Sequence, residues 1–373
     1  MRDEEGFKPP PYPYDRLDEL KPLAAHHEGG IVDCSIGTPI DAPPKQVVEA
    51  LANSDMERSY PPSIGTVAFR EEIASWVLNR FGCEIDPATE IAAAVGTKEF
   101  VAGLPHWMKL RNPNRDTVLY PAVSYPSYEM GATLAGCRSV AVPVDENWSI
   151  QLDAVSEEDR ARALLLWVNT PGNPAGGLDD LDAAATWGRT NQIPVFSDEC
   201  YCEFTWDGSP RTILSSGTHG VVSVHSLSKR SNLAGLRAGF YAGDPDLVNY
   251  LREVRKHAGF MVPGPAQAAA VAALSDQDHV EKQRETYWNR LNRLSNILSN
   301  MGVEAPLPRG GFYLWVPAPE GNAWAFVERL LEDIGLLASP GEFYGPLGDG
   351  YVRIAAVQSD ERIQLLEQRL GMS

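Results

Sequence analysis

Apolar positions in this chain come in blocks more often than in alternation. Short continuous apolar runs recur at residues 91–95, 117–120, 163–168, 193–196, 221–224 and 239–242. Most lead into a polar or glycine-bearing loop, and several then into a helical stretch. Strands apolar on both faces and separated by helices predict a largely parallel sheet covered on each side. After residue 280 the pattern changes. Tyr287, Leu291, Leu294, Ile297, Leu298 and Met301 form one stripe at helical spacing. Gly310 and Gly311 precede a strand-like run at 312–316. A second helix carries Phe326, Val327, Leu330, Leu331 and Ile334 and is stopped by Gly335, before a further strand at 351–357. The first 45 residues hold Pro9, Pro10, Pro11, Pro13, Pro22, Pro39, Pro43 and Pro44, which predicts an extended arm. The expected class is α/β. Residues 1–45 form an arm and part of a small domain, 46–275 a large domain, and 276–373 a smaller α+β domain.

Composition narrows the partners. The 373 residues are 43% hydrophobic and 22% charged, a balance that supports a sizeable core. Fifty acidic against 32 basic side chains give a formal charge of −18, which disfavours nucleic acid and anionic membranes as partners. A local basic pocket can still take an anionic small molecule. The apolar runs are far shorter than the ~20 residues needed to span a bilayer. The start, Met-Arg-Asp-Glu-Glu, does not read as a signal peptide. Five cysteines (Cys34, Cys83, Cys137, Cys200 and Cys202) are odd in number and contain no C-x-x-C pair. They read as reduced thiols of a cytoplasmic protein. Cys200 and Cys202 lack further nearby ligands, so no metal site is expected.

In a parallel sheet, ligands sit beyond the carboxyl ends of the strands. The residues there carry the chemistry. Run 91–95 is followed by Gly96-Thr97-Lys98-Glu99, a small-residue turn into a helix N-terminus, which suits a phosphate. Neither a P-loop nor a well-placed G-x-G-x-x-G occurs. After 117–120 comes Tyr125, able to stack on a planar ligand. After 163–168 comes Asn169-Thr170-Pro171-Gly172-Asn173-Pro174, a rigid loop offering two amides. After 193–196 comes Asp198-Glu199-Cys200-Tyr201; a carboxylate there is costly unless it has a cationic partner. After 221–224 comes His225-Ser226-Leu227-Ser228-Lys229, and Arg237 stands eight residues beyond the lysine. Taken singly, each position favours the plainer reading of a cap, a turn or a solvated charge.

Their joint order resembles the pyridoxal-phosphate-dependent aminotransferases of fold type I, class I/II, over about residues 35–356. The resemblance implies a mostly parallel, seven-stranded sheet between helices. It implies that Lys229 binds the cofactor aldehyde and then shuttles a proton, and that Asp198 holds the pyridine nitrogen protonated. At an effective dielectric of about 20 and ~3 Å, that attraction is roughly 5 kcal/mol before desolvation. Asn173 and Tyr201 would bond the ring's phenolic oxygen, and Tyr125 would stack on the ring. Gly96, Thr97, Lys98 (through its backbone), Ser226, Ser228 and Arg237 would cradle the phosphate. Arg353 would grip a substrate α-carboxylate, and Gly37 belongs to a segment that closes over the substrate. Tyr60, in Ser59-Tyr60-Pro61-Pro62-Ser63-Ile64-Gly65, would reach the neighbouring subunit's cofactor, which implies a homodimer with shared sites. Ala175 departs from the threonine frequent in the family's loop.

The implied reaction is transamination by a ping-pong mechanism through pyridoxamine phosphate. Stretches such as Val95-Gly96-Thr97-Lys98-Glu99, Ser231-Asn232-Leu233-Ala234 and Pro340-Gly341-Glu342-Phe343-Tyr344 look like actinobacterial N-succinyldiaminopimelate aminotransferases. That substrate carries three carboxylates, which makes Lys256 or Arg255 a candidate for a distal one, against solvated helix charge as the plainer reading. General aspartate, aromatic or alanine aminotransferases and carbon–sulfur lyases share the cofactor residues. A transcription regulator would need a DNA-binding domain, for which the short N-terminal segment leaves no room.

Overall fold

The computed structural model describes residues 6–372. The acidic start at residues 1–5, on which the expectation about a leader rested, lies outside them. The strands are β1 (Val32–Asp33), β2 (Ile91–Ala94), β3 (Thr117–Pro121), β4 (Arg138–Val142), β5 (Ala163–Asn169), β6 (Val195–Asp198), β7 (Val221–Ser226), β8 (Gly239–Gly243), β9 (Tyr313–Pro317), β10 (Leu336–Leu337), β11 (Ser339–Pro340) and β12 (Tyr351–Ala355).

Strands β2 to β8 build the expected seven-stranded sheet, in the order β2-β8-β7-β6-β5-β3-β4. Only β8 runs against its neighbours. The apolar runs became strands because both faces are covered. Val118 and Tyr120 pack with Phe100 and Leu104 on one face, while Leu119 packs with Leu181 and Ala184 on the other. Strand β4 was not legible as an apolar run. It lies at the sheet's edge and only Val142 in it is buried, so Arg138 and Ser139 break the pattern.

The C-terminal elements form an antiparallel sheet, β11-β12-β9. It packs with the helices Asp278–Asn300, Ala323–Ile334 and Asp360–Arg369. Gly335 ends the middle one in the left-handed conformation, φ 69°. Strand β1 pairs in parallel with β10, so an N-terminal segment joins this layer.

The arm departs from expectation. Pro13–Ala24 winds as a 3-10 helix instead of running extended. Pro13 sits at the start, where its missing N–H costs nothing. Leu17 and Ala24 bury themselves in the core that contains Phe326 and Leu330. That burial is a tertiary gain that a proline count does not reveal.

Candidate active site

The carboxyl ends of the parallel strands open on a pocket of about 510 Å³. Lining it are Gly37, Thr97, Lys98, Tyr125, Asn173, Asp198, Tyr201, Ser226, Ser228, Lys229, Arg237 and Arg353, so residues far apart in sequence converge.

Register brings the first of these together. Asn169 at the end of β5 stands opposite Asp198 at the end of β6. Asn169 is occupied structurally: its amide donates to the Asp198 carbonyl and its oxygen accepts from the Asn173 N–H, each at 2.9 Å. Asp198 is 7% exposed. Its carboxylate accepts from Tyr128 Oη at 2.9 Å and from the Cys200 N–H at 3.2 Å. No cation pairs with it among the described residues. Burial therefore pushes its pKa up, against the pull of those hydrogen bonds. Tyr128 is itself held protonated by burial and by the Asp198 charge, so its hydroxyl stays a donor. Burial likewise keeps Cys200 a thiol, with its Sγ 3.4 Å from Thr97 Oγ1.

Lys229 follows β7 in the short helix Leu227–Arg230, capped by Ser226 Oγ accepting from the Ser228 N–H at 3.1 Å. Its amine donates to the Gly37 carbonyl. Burial first, then the Arg353 and Arg237 guanidiniums, bring its pKa down to about 8. A lysine so shifted exchanges protons near neutrality. Gly37 is required here, because a Cβ would fall 2.0 Å from Tyr313 Oη.

At the other wall the helix Thr97–Arg111 begins after Gly96, which has φ +74° and supplies no side-chain cap. The first backbone N–H groups of that helix are therefore free for an anion. A Cβ at Gly96 would lie 2.0 Å from Arg237 Nη2, so the glycine makes room for the guanidinium. Thr97, Ser226, Ser228 and Arg237 thus surround one corner with hydroxyls, N–H groups and a positive charge.

Arg353, on β12, is 2% exposed. Nη1 donates to Asn173 Oδ1 at 2.9 Å and Nη2 to the Ser35 carbonyl, while Nε has no partner. The rings of Tyr313 and Tyr344 lie 4.3 and 4.8 Å from its guanidinium carbon. Tyr201 Oη and Tyr313 Oη are 2.9 Å apart.

Some expectations shift. Arg255 is neither solvated nor available: it is buried, pairs with both Glu99 oxygens (3.0 Å to Oε2) and lies over Phe260. Lys256, at the exposed end of the helix Pro245–His257, lies outside the pocket of its own chain. Tyr60 is 93% exposed and also outside it. The sequence reading missed Tyr12, Tyr14, Tyr128 and Tyr313, all in the wall. Tyr128 lies three residues past Tyr125, within the same strand-end segment, so the strand-end rule could have found it. Nothing in the proline-rich arm pointed to Tyr12 or Tyr14.

Among the described residues, no group of three or more His, Cys, Asp or Glu could hold a metal, and no helix is long and apolar enough to cross a membrane. A model of the family "aminotransferase class I and II" matches residues 30–370. The chain belongs to that family. Relatives cover its whole architecture. The 4-dedimethylamino-4-oxo-anhydrotetracycline transaminase OxyQ of Streptomyces rimosus is 42% identical over 97% of this chain and 99% of its own. The LL-diaminopimelate aminotransferase of Aquifex aeolicus is 33% identical, covering 97% and 96%. Among solved structures, one described as a probable N-succinyldiaminopimelate aminotransferase from Thermus thermophilus superposes with a TM-score of 0.86. It is 31% identical, covering 96% of this chain and all of that one. The protein is a transaminase that uses pyridoxal 5′-phosphate, as members of this family do. The pocket suits that group: an anion corner at Gly96 and Arg237, a buried carboxylate lacking a cation, and an amine of lowered pKa between them.

Proposed function

We propose that this aminotransferase takes amino acids that carry a second anionic group, with N-succinyl-LL-2,6-diaminopimelate and 2-oxoglutarate as the substrate pair. The observation that carries the reading is Lys98, a pocket cation with no carboxylate partner among the described residues, set beside Arg353, a buried guanidinium held by neutral oxygens alone, with Nε unpartnered. An α-carboxylate would complete its fork. Four cations line the pocket: Lys98, Lys229, Arg237 and Arg353. With Lys229 given to the reaction, Arg237 to the phosphate and Arg353 to the α-carboxylate, Lys98 remains. Its Nζ reaches Tyr12 Oη at 3.3 Å and has no carboxylate partner among the described residues. Lys98, rather than Lys256, is thus our choice for a distal carboxylate. The diaminopimelate names of the Aquifex and Thermus relatives support the substrate class.

In this reading the bound cofactor supplies an electron-withdrawing ring that makes a proton on the substrate's α-carbon removable. The chain does the rest. Arg353 fixes the carboxylate and so orients the α-carbon. Lys229 Nζ, with its pKa of about 8, would take that proton and hold it for return. Asp198, steadied by Tyr128, holds a negative charge for the ring nitrogen. Asn173 and Tyr201 would donate to the ring's oxygen, Tyr125 would pack on the ring, and Thr97, Lys98 N–H, Ser226, Ser228 and Arg237 would hold the phosphate. Residues 1–45 and 276–373 act as one small domain against 46–275. The exposed Tyr60 completes the partner's site in a cytoplasmic homodimer.

A second reading has its own support. The 42% identity to OxyQ over nearly the whole chain, with Tyr12, Tyr14, Tyr125 and Tyr313 in the wall, favours an aromatic polycyclic acceptor. A spectrophotometric titration separates the two. Under our proposal the cofactor's absorbance band bleaches with glutamate and returns with the succinylated oxo acid. Recovery with an aromatic polycyclic ketone alone moves the assignment to the second reading. Release of pyruvate and ammonia from cystathionine would mark a lyase instead. Lys98→Met should raise KM for glutamate while leaving that for alanine unchanged; equal effects on both remove Lys98 from the role.

A further inference from the structure

Behind the strand ends that carry Asp198 and Ser226 lies a buried pair of titratable side chains that the reaction as described leaves unused. Glu199 follows Asp198 and is 1% exposed; His225 precedes Ser226 and is 3% exposed. His225 Nε2 stands 3.2 Å from Glu199 Oε2, within ion-pair distance although the two are not hydrogen-bonded, and neither atom has any other hydrogen-bond partner. The other Glu199 oxygen accepts from the Ile213 N–H at 2.8 Å. The imidazole is stacked on Phe240, with centroids 4.9 Å apart, and meets Trp76 edge-on. Its Nδ1 faces Cys202 Sγ at 3.9 Å, and burial keeps that thiol protonated.

The neighbouring charges are already matched. Arg80 and Arg230 pair with Glu203 at 2.8 and 3.4 Å, and Arg80 also with Glu281 at 3.6 Å, two guanidiniums against two carboxylates. The charge of the Glu199–His225 pair is therefore settled between the two of them. An uncompensated carboxylate at Glu199 would be costly in itself and would stand one residue from Asp198, a second buried negative charge.

We propose that His225 is a positioning residue for the transamination reaction: as an imidazolium paired with Glu199 it forms a net-neutral buried unit, which lets the adjacent Asp198 keep its negative charge for the cofactor. The inference rests on the reading that Asp198 faces the cofactor ring. The electrostatics run the same way, since burial pushes the Asp198 carboxyl up while the positive charge of His225 works against it. The backbone couples the two strand ends as well: the Glu199 N–H donates to the Val224 carbonyl of β7 at 2.9 Å.

The test uses the holoenzyme with 15N-labelled histidine. At pH 7.5 the His225 signals, assigned by their loss in His225→Gln, should show both ring nitrogens protonated; a neutral tautomer overturns the proposal. In His225→Gln the dissociation constant of pyridoxal phosphate should rise and kcat fall, each by about tenfold, with KM for the amino donor within about twofold. The double variant His225→Gln/Glu199→Gln is neutral and of similar shape, and it should recover to within about threefold of wild type. Wild-type cofactor affinity in the single variant, or a double variant as impaired as the single, would show that charge is not what matters. If the single variant fails to fold, the double variant and the wild-type spectrum still decide. A wild-type protein that binds pyridoxal phosphate but transaminates no amino acid breaks the underlying reading instead, and leaves the protonation of His225 measurable on its own.

Discussion

The sheet side and the C-terminal side of the pocket each bury one full charge, and they support it differently. Asp198 is held by Tyr128, in the helix Ser127–Leu134 that follows β3, and by the Cys200 N–H just after β6. Arg353 is held by Ser35, Asn173 and the rings of Tyr313 and Tyr344, which come from widely separated parts of the chain. The first charge is prepared by the sheet alone. The second exists in its working form only when the N-terminal segment, the sheet loop at Asn173 and the C-terminal layer have assembled. Damage on the sheet side should therefore appear in cofactor handling and kcat. Damage on the C-terminal side should appear in substrate KM.

The strongest break in that contrast is Lys229→Ala, which removes the proton carrier between the two sides. Turnover under excess substrate should fall by roughly 10³-fold or more; near-wild-type multiple turnover would remove Lys229 from its role. Asp198→Asn should lower kcat by roughly 10²-fold with little change in KM, measured by steady-state kinetics at saturating cofactor. Arg353→Ala should cost about 10²-fold in kcat/KM, mostly through KM, while cofactor affinity stays near wild type. Arg353→Lys should recover only part of that loss, because an ammonium cannot reproduce the fork. Tyr128→Phe removes one hydrogen bond to Asp198 and should cost about 1 kcal/mol, a several-fold fall in kcat. A pH series on cofactor-free protein sharpens the comparison further. The neutral amine is the nucleophile, so with Lys229 at about 8 the rate of pyridoxal phosphate uptake should climb through pH 8 and then level off. Uptake still climbing steeply near pH 10 would mean that the burial and the nearby guanidiniums do not act as described.

The same contrast explains what could be read from the amino acids. Asp198 and Lys229 stood out because continuous apolar runs mark parallel strands, and their carboxyl ends mark where ligands go; Arg237, just before the antiparallel β8, was read only from its place after the lysine and from the resemblance. Arg353 was legible only through resemblance. It lies in an antiparallel strand of a mixed layer, where no such rule singles out one position. Tyr313 and the arm tyrosines stayed hidden for a related reason: only three-dimensional packing takes them to the pocket. Strand β4 escaped notice because an edge strand keeps a solvated face. The Arg255–Glu99 pair was misjudged because charge on a helix looks solvated until its partner, 156 residues away, is brought alongside.

Two of the pocket's tyrosines, Tyr12 and Tyr14, belong to a segment that precedes every strand. Downstream it is anchored by the buried Leu17 and Ala24; its tip is held by Tyr14 Oη to Tyr344 Oη at 2.8 Å, Lys98 Nζ to Tyr12 Oη at 3.3 Å, Arg16 to Glu342, and Arg16 4.5 Å over the Trp324 ring. A protease cut between Tyr14 and Arg16 would strip those tyrosines from the wall and leave each buried charge in place. The enzyme would keep its chemistry and lose part of its selectivity. Trimming back past Tyr14 should therefore change relative kcat/KM across a panel of amino acids more than it changes turnover with any one of them.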